Sequence, residues 1–194
     1  MDEKQALRHE ILKTIRKTPG PDAQNVADKL CALKEYREAA FILGYVPLKS
    51  EIDISVFMDK AAADGKTIAF PGINPGDIAI AAPDWRNHLI RLPNNTFTAD
   101  SLPILNINEL RSRMAPVGKT KGLILVPGLA FTEFGTRLGR GAGYYDQLLD
   151  LMTNSGSTAG SLDFISIGIC RQSQLLEDLP QQPHDRKVRM VITF

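Results

Sequence analysis

The segment Arg137-Leu138-Gly139-Arg140-Gly141-Ala142-Gly143-Tyr144-Tyr145-Asp146 concentrates residues that can handle an anion. Glycines let the backbone approach a ligand closely and take up positive φ. Arginines supply planar donors matched to phosphate. Residues 144–152 place Tyr144, Tyr145, Leu148, Leu149 and Met152 at helical spacing, so the glycines run into a helix N-terminus, where free N–H groups and a positive partial charge favour an anion. Asp146, one turn in, is placed to hold the magnesium that accompanies a nucleotide. The chemistry suggested is phosphate binding. The spacing matches neither the P-loop nor the Rossmann fingerprint. A solvated surface turn stays open as the bland reading. An RNA-binding glycine/arginine tract fits worse, because such tracts are long and repetitive and this one is short and flanked by apolar elements.

A second cationic feature sits at the other end of the chain. Around a helix over residues 4–17, Leu7, Ile11, Leu12 and Ile15 share one arc, and Lys4 and Arg8 fall inside it. Buried charge is costly without a partner. Either the two side chains snorkel at the edge of the stripe or they point into a cleft and meet an anion. His9, His88 and His184 form no ligand cluster. Cys31 and Cys170 are far apart, which suits buried thiols better than a disulfide or a metal site. No Ser-His-Asp or Cys-His constellation is evident. Trp85, in Pro-Asp-Trp-Arg, is either a stacking surface or a half-buried anchor.

The elements that must position these residues are readable in outline. Thr18-Pro19-Gly20-Pro21 ends the first helix. A second is expected from Asp22, carrying Val26, Leu30, Leu33 and Tyr36 on one face. Strands are expected at 41–46, 66–70, 77–82, 123–126, 163–169 and 188–193, with short ones at 88–92 and 104–107. Ser50 looks like the N-cap of a helix over 51–63 that ends at Asp64-Gly65. Residues 153–161 read as a Ser/Gly/Thr loop. Strands alternating with helices predict an α/β fold: one three-layer αβα domain over residues 1–194 with a mostly parallel central sheet. Ligands of such sheets sit beyond the carboxyl ends of the strands, where the glycine-rich turn follows residues 123–126. At 194 residues, with 43% hydrophobic and 23% charged residues and a net charge of +1, the chain suits a substantial core. It offers no general attraction for nucleic acid or a membrane surface. No apolar run approaches the roughly 20 residues of a membrane span, and the polar start is unlike a secretory signal. A cytoplasmic protein is expected.

Taken together these residues resemble the 5-formyltetrahydrofolate cyclo-ligase (methenyltetrahydrofolate synthetase) family. The resemblance is carried by Val126-Pro127-Gly128-Leu129-Ala130-Phe131, Gly135 and the 137–146 segment. Lys4 with Leu7-Arg8, Glu51 with Ile52-Asp53, and Gly168, Gln174, Leu179-Pro180 and His184-Asp185 agree in order. Thr132 departs from the family's usual aspartate, Ala142 from a frequent glycine, Gln147 from a common arginine and Lys121-Gly122 from an Ile-Asp pair. The family's Gly-Ile-x-Glu-Pro segment has only Leu105-Asn106-Ile107-Asn108-Glu109-Leu110 as its nearest equivalent here.

The resemblance implies ATP-dependent closure of 5-formyltetrahydrofolate to 5,10-methenyltetrahydrofolate, with ADP and phosphate released. It implies Arg140 and Tyr144 as catalytic residues. ATP would be bound by Lys4, Arg8, Arg137, Leu138, Gly139, Arg140, Gly141, Ala142, Gly143, Tyr144 and Tyr145. The folate would meet Glu51, Arg140 and Tyr144, and Mg2+ would lie on Asp146 and Asp185. The implied partners are reduced folate and ATP, with no nucleic acid or membrane, in a monomer or weak homo-oligomer. Two alternatives stand beside it: a non-catalytic nucleotide- or folate-binding relative, motivated by the divergent 83–113 stretch, and a phosphosugar isomerase or CoA-transferase-like enzyme on a similar α/β scaffold. Read without the resemblance, Glu51 merely stabilises a helix dipole and Asp185 is a surface ion pair.

Overall fold

The structure is a computed structural model. It describes residues 3–72, 74–81, 89–91, 97–99, 104–106, 108–110, 121–153 and 163–194. Trp85, His88 and residues 154–161 lie outside this set, as does most of the divergent 83–113 stretch.

The order is α1 (Glu3–Lys17), α2 (Ala23–Cys31), α3 (Lys34–Glu38), β1 (Ala39–Leu43), α4 (Ser55–Ala63), β2 (Thr67–Pro71), β3 (Asp77–Ala81), β4 (Leu89–Arg91), β5 (Phe97–Ala99), β6 (Ile104–Asn106), β7 (Lys121–Pro127), β8 (Ala130–Phe131), β9 (Arg137–Leu138), α5 (Tyr144–Thr153), β10 (Asp163–Cys170), a 3-10 turn (Gln172–Gln174) and β11 (Met190–Thr193). A seven-stranded sheet runs β11-β10-β7-β1-β2-β3-β6. The strands from β11 to β2 are parallel to one another, and β3 pairs antiparallel with both β2 and β6. The expected α/β class with a mostly parallel sheet is what the chain adopts.

Strand alternation builds the two cores. On one face Ile42, Leu123, Leu125, Ile167 and Ile169 pack with α2 and α4 through Leu30, Phe57 and Met58. On the other, Phe41, Leu43, Ile124 and Val126 pack with Leu148, Leu149 and Met152 of α5. Near-continuous apolar runs such as Leu123-Ile124-Leu125-Val126 arise because both faces of a parallel sheet are covered. α1 belongs to neither core. Its Ile11 and Ile15 pack on Leu129, Ala130 and Leu138 around the two-stranded β8–β9 ribbon, and on Leu179.

Two helices differ from expectation. The single second helix is broken after Cys31: Leu33 is extended (φ −67°, ψ 143°) and α3 starts anew. The break turns Tyr36 so that its ring meets Phe57 at 5.2 Å and its hydroxyl donates to Asp64. α4 begins at Ser55, not Glu51. Asp53 accepts the Ser55 N–H, while Ile52 and Ile54 are pulled into the core. Glu51 is therefore outside the helix, and the dipole reading of it falls away.

Candidate functional site

A cleft of about 380 Å³ opens beyond the carboxyl ends of β1, β2 and β7. It is bounded by α1, by the chain after β1 (Tyr45 to Glu51), by Pro71-Gly72, by the glycine-rich turn and by Gln182 to Asp185. Every residue to which the resemblance assigned a role lines it. Lys4 and Arg8, from the start of the chain, thus share a cavity with Arg137 and Arg140.

Local geometry explains the glycines. Gly141 (φ +106°) and Gly143 (φ +67°) hold conformations that side chains resist. The Gly143 carbonyl accepts the first helical hydrogen bond of α5, from the Gln147 N–H at 3.1 Å. Gly139 is required for space: a Cβ there would sit 2.5 Å from Arg137 Nη1. Arg8 Nε donates to the Gly139 carbonyl at 2.9 Å, which fastens α1 to the turn. Below it the ribbon is closed by the Leu129 N–H to Leu138 O and by Thr132, whose hydroxyl accepts the Thr136 N–H at 3.2 Å. The threonine that departs from the family's aspartate thus keeps an oxygen where the turn needs one.

Three ion pairs organise the charges. Lys4, only 7% exposed, meets Asp185 Oδ2 at 2.5 Å, so the buried lysine faces the cleft and an anion rather than snorkelling. Burial alone would raise the Asp185 carboxyl, but the Lys4 ammonium and the Gln182 N–H hold it below the ordinary carboxylate value. Arg137 donates to Asp146 Oδ1 at 2.9 Å and lies 5.7 Å from the Tyr145 ring centre. Asp146 Oδ1 also accepts the Arg186 N–H. Arg140 reaches across the mouth to Glu51 Oε1 at 3.3 Å and to the Ser50 hydroxyl. Arg8 has no carboxylate partner among the described residues.

Two predicted residues carry further commitments. The Tyr144 hydroxyl donates to the Gly72 carbonyl at 2.8 Å. Burial, reinforced by Asp77, pushes its pKa upward, so it stays a neutral donor and offers the cleft mainly its ring. Tyr145 stands edge-on to it, ring centres 5.5 Å apart. Glu51 accepts the Leu48 N–H through Oε2, which shapes its own loop. The two carboxylates expected at a metal each keep one oxygen outside these hydrogen bonds, Asp146 Oδ2 and Asp185 Oδ1. No cluster of three or more His, Cys, Asp or Glu side chains suited to a metal occurs among the described residues.

Two supporting residues lie behind this lining. Gln174 Nε2 donates to the Gly128 and Leu129 carbonyls, and Gln174 Oε1 accepts the Arg171 N–H. Arg171 was not flagged by the sequence. A lone arginine after a strand carries no local signal, because its partners lie some 150 positions earlier.

Comparisons with known proteins bear on the family and the fold. A protein of Mycolicibacterium smegmatis named 5-formyltetrahydrofolate cyclo-ligase is 28% identical over 98% of this chain and 93% of its own. The fold is shared with the 5,10-methenyltetrahydrofolate synthetase of Aquifex aeolicus (TM-score 0.71, 22% identity, 98% of this chain and 89% of that one). It is shared too with that of Mycoplasma pneumoniae (TM-score 0.63, 21% identity, 99% and 98%). The sequence model of one family matches residues 1–194 throughout, and the chain belongs to it: the 5-formyltetrahydrofolate cyclo-ligase family.

Proposed function

We propose that this chain closes 5-formyltetrahydrofolate to 5,10-methenyltetrahydrofolate at the expense of ATP. The observation that carries the proposal is the convergence of Lys4, Arg8, Arg137 and Arg140 on one cleft in a chain of this family. In the reaction the formyl oxygen attacks the γ-phosphorus and ADP leaves. N10 then attacks the formyl-derived carbon of the imidate phosphate and loses its proton to solvent, and inorganic phosphate departs with the C–O electron pair. Both steps need positioning and charge neutralisation more than a protein nucleophile.

Lys4, Arg8 and the N–H groups of 139–143 hold the triphosphate. Arg140, the exposed arginine at the mouth, swings from Glu51 onto the transferring phosphoryl group. Glu51, released, accepts hydrogen bonds from the amino edge of the pterin. Arg137 lines the cleft from beneath the turn, where its pair with Asp146 fixes the turn's shape and its charge adds to the cradle of the triphosphate. The rings of Tyr144 and Tyr145 wall the cleft and exclude water. Magnesium suits the donor set, since it is held by one or two carboxylates plus substrate phosphates. Asp146 and Asp185 would hold it, and bound there it would supply charge neutralisation at the phosphates. The same reading makes 1–194 one unit that works in the cytoplasm, as a monomer or weak homo-oligomer, on small molecules and not on nucleic acid or membranes.

The test is the absorbance of methenyltetrahydrofolate on mixing the protein with 5-formyltetrahydrofolate and MgATP. Product should form only when ATP is present. Tight ATP binding without product, or product without ATP, would overturn the proposal.

A further inference from the structure

α1 carries two of the four cations of the cleft, yet it stands apart from both sheet cores. Its N-terminal half is fastened through functional side chains, by Lys4 to Asp185 and Arg8 to Gly139 O. Those contacts must be free to rearrange when a nucleotide enters. Its C-terminal end is held differently. Arg171 Nη1 donates to the Ile15 carbonyl at 2.9 Å and to the Thr18 carbonyl at 2.5 Å, reinforcing the weak Thr18 N–H to Ile15 O bond of 3.3 Å at a helix end where carbonyls run short of donors. A cation there also opposes the negative end of the helix dipole. Gly20 passes over the same guanidinium, and a Cβ at that position would lie 3.5 Å from Nη2.

The other side of the bracket reaches the site's floor. The Arg171 N–H donates to Gln174, and Gln174 grips the Gly128 and Leu129 carbonyls at the head of the ribbon. Through Gln174, Arg171 therefore ties the helix that delivers Lys4 and Arg8 to the loop after β7, whose Gly128 lines the cleft. The arginine is 7% exposed and its Nε has no hydrogen-bond partner among the described residues. A buried unmade hydrogen bond costs about 1–3 kcal/mol, which offsets part of what the two carbonyl bonds contribute. The geometry of the bracket has a further effect. Lys4 lies ~16 Å along the helix from Ile15 at the standard rise, so a tilt of ~5° about the bracket displaces it by ~1.4 Å. Displacements of about 1 Å are enough to cost on the order of a hundredfold in a positioned site.

We infer that Arg171 is a positioning residue for the nucleotide: it sets the tilt of α1 and so the placement of Lys4 and Arg8. The inference rests on the function proposed above. Arg171→Ala should raise the KM for ATP about tenfold or more, with kcat and the KM for 5-formyltetrahydrofolate changed less than about threefold. Arg171→Lys keeps donors for both carbonyls and should restore most of the loss. In Arg171→Ala/Arg8→Ala the ATP effect should fall short of the product of the two single effects, because part of the Arg171 effect is carried by Arg8. Calorimetric titration with a non-hydrolysable ATP analogue reads the same loss without turnover. If Arg171→Ala does not fold, Arg171→Gln against Arg171→Lys in that titration takes its place. Equal losses in both KM values and kcat, full multiplicativity with Arg8→Ala, or unchanged nucleotide affinity would each overturn the inference. A wild-type protein that binds no ATP would instead bring down the proposed function itself.

Discussion

Arg137 and Arg140 stand three positions apart on one turn, and each pairs with a carboxylate, yet they are built for opposite purposes. Arg137 is 4% exposed, packed over Gly139 and Tyr145 and held to Asp146. Arg140 is 41% exposed and spans open cleft to Glu51. A buried pair is costly to break, because the partner left behind remains charged and desolvated. An exposed pair contributes little and exchanges readily for another anion. The first is scaffold and the second is available for work.

Substitution should separate them. Arg140→Ala is expected to cut turnover by on the order of a hundredfold or more, as loss of a transition-state donor does. Its melting temperature should stay within ~2 °C of wild type. Arg137→Ala should lose about 3 kcal/mol, or on the order of 10 °C in melting temperature, with activity failing as the turn deforms. Differential scanning calorimetry beside a turnover assay checks both, and equal thermal losses would erase the distinction.

The Lys4–Asp185 pair lies between these extremes, and pH reports on it. A carboxyl whose folded pKa is depressed stabilises the fold above its unfolded value, about 3.9 for aspartate. It loses that contribution as the pH falls toward the folded value. Asp185 is such a group. Wild type should keep the contribution at pH 5–7 and lose it below about pH 4. Lys4→Met should move the acid-unfolding midpoint, followed by circular dichroism, upward. An unmoved midpoint would show that the pair holds no stability. The smallest effect is expected at Thr132→Val. It removes the acceptor of the Thr136 N–H, costs about 1 kcal/mol and lowers the melting temperature by ~3 °C. Unchanged melting would show the hydroxyl to be idle.

What was legible in the sequence follows from the same contrast. α1, β7 and α5 announce themselves because each pattern is local and long enough to show its period. The glycine turn is legible because its constraint is its own backbone. Ser50 misled: it has the type and position of an N-cap, but its hydroxyl is taken by Arg140 from across the cleft, and the helix starts at Ser55 with Asp53 receiving its N–H. The ribbon strands β8 and β9, Ala130–Phe131 and Arg137–Leu138, are too short to show alternation. The break before α3 is a tertiary decision, made by Phe57 and Asp64. Arg171 could not be found by spacing at all, since its meaning resides in carbonyls of a distant helix.

The pairing of charges around the cleft has a kinetic consequence. Among the described residues four cations face three carboxylates there, Glu51, Asp146 and Asp185, which leaves one positive unit without a carboxylate partner in that set, on Arg8. A nearly balanced set of charges of this kind projects only a weak field into solvent, and ions in solution damp it within about 8–10 Å. On the proposed function these groups add little long-range steering to the arrival of nucleotide. On the proposed function its hold comes after contact, as phosphate takes the place of the acids that keep Lys4 and Arg140 in position.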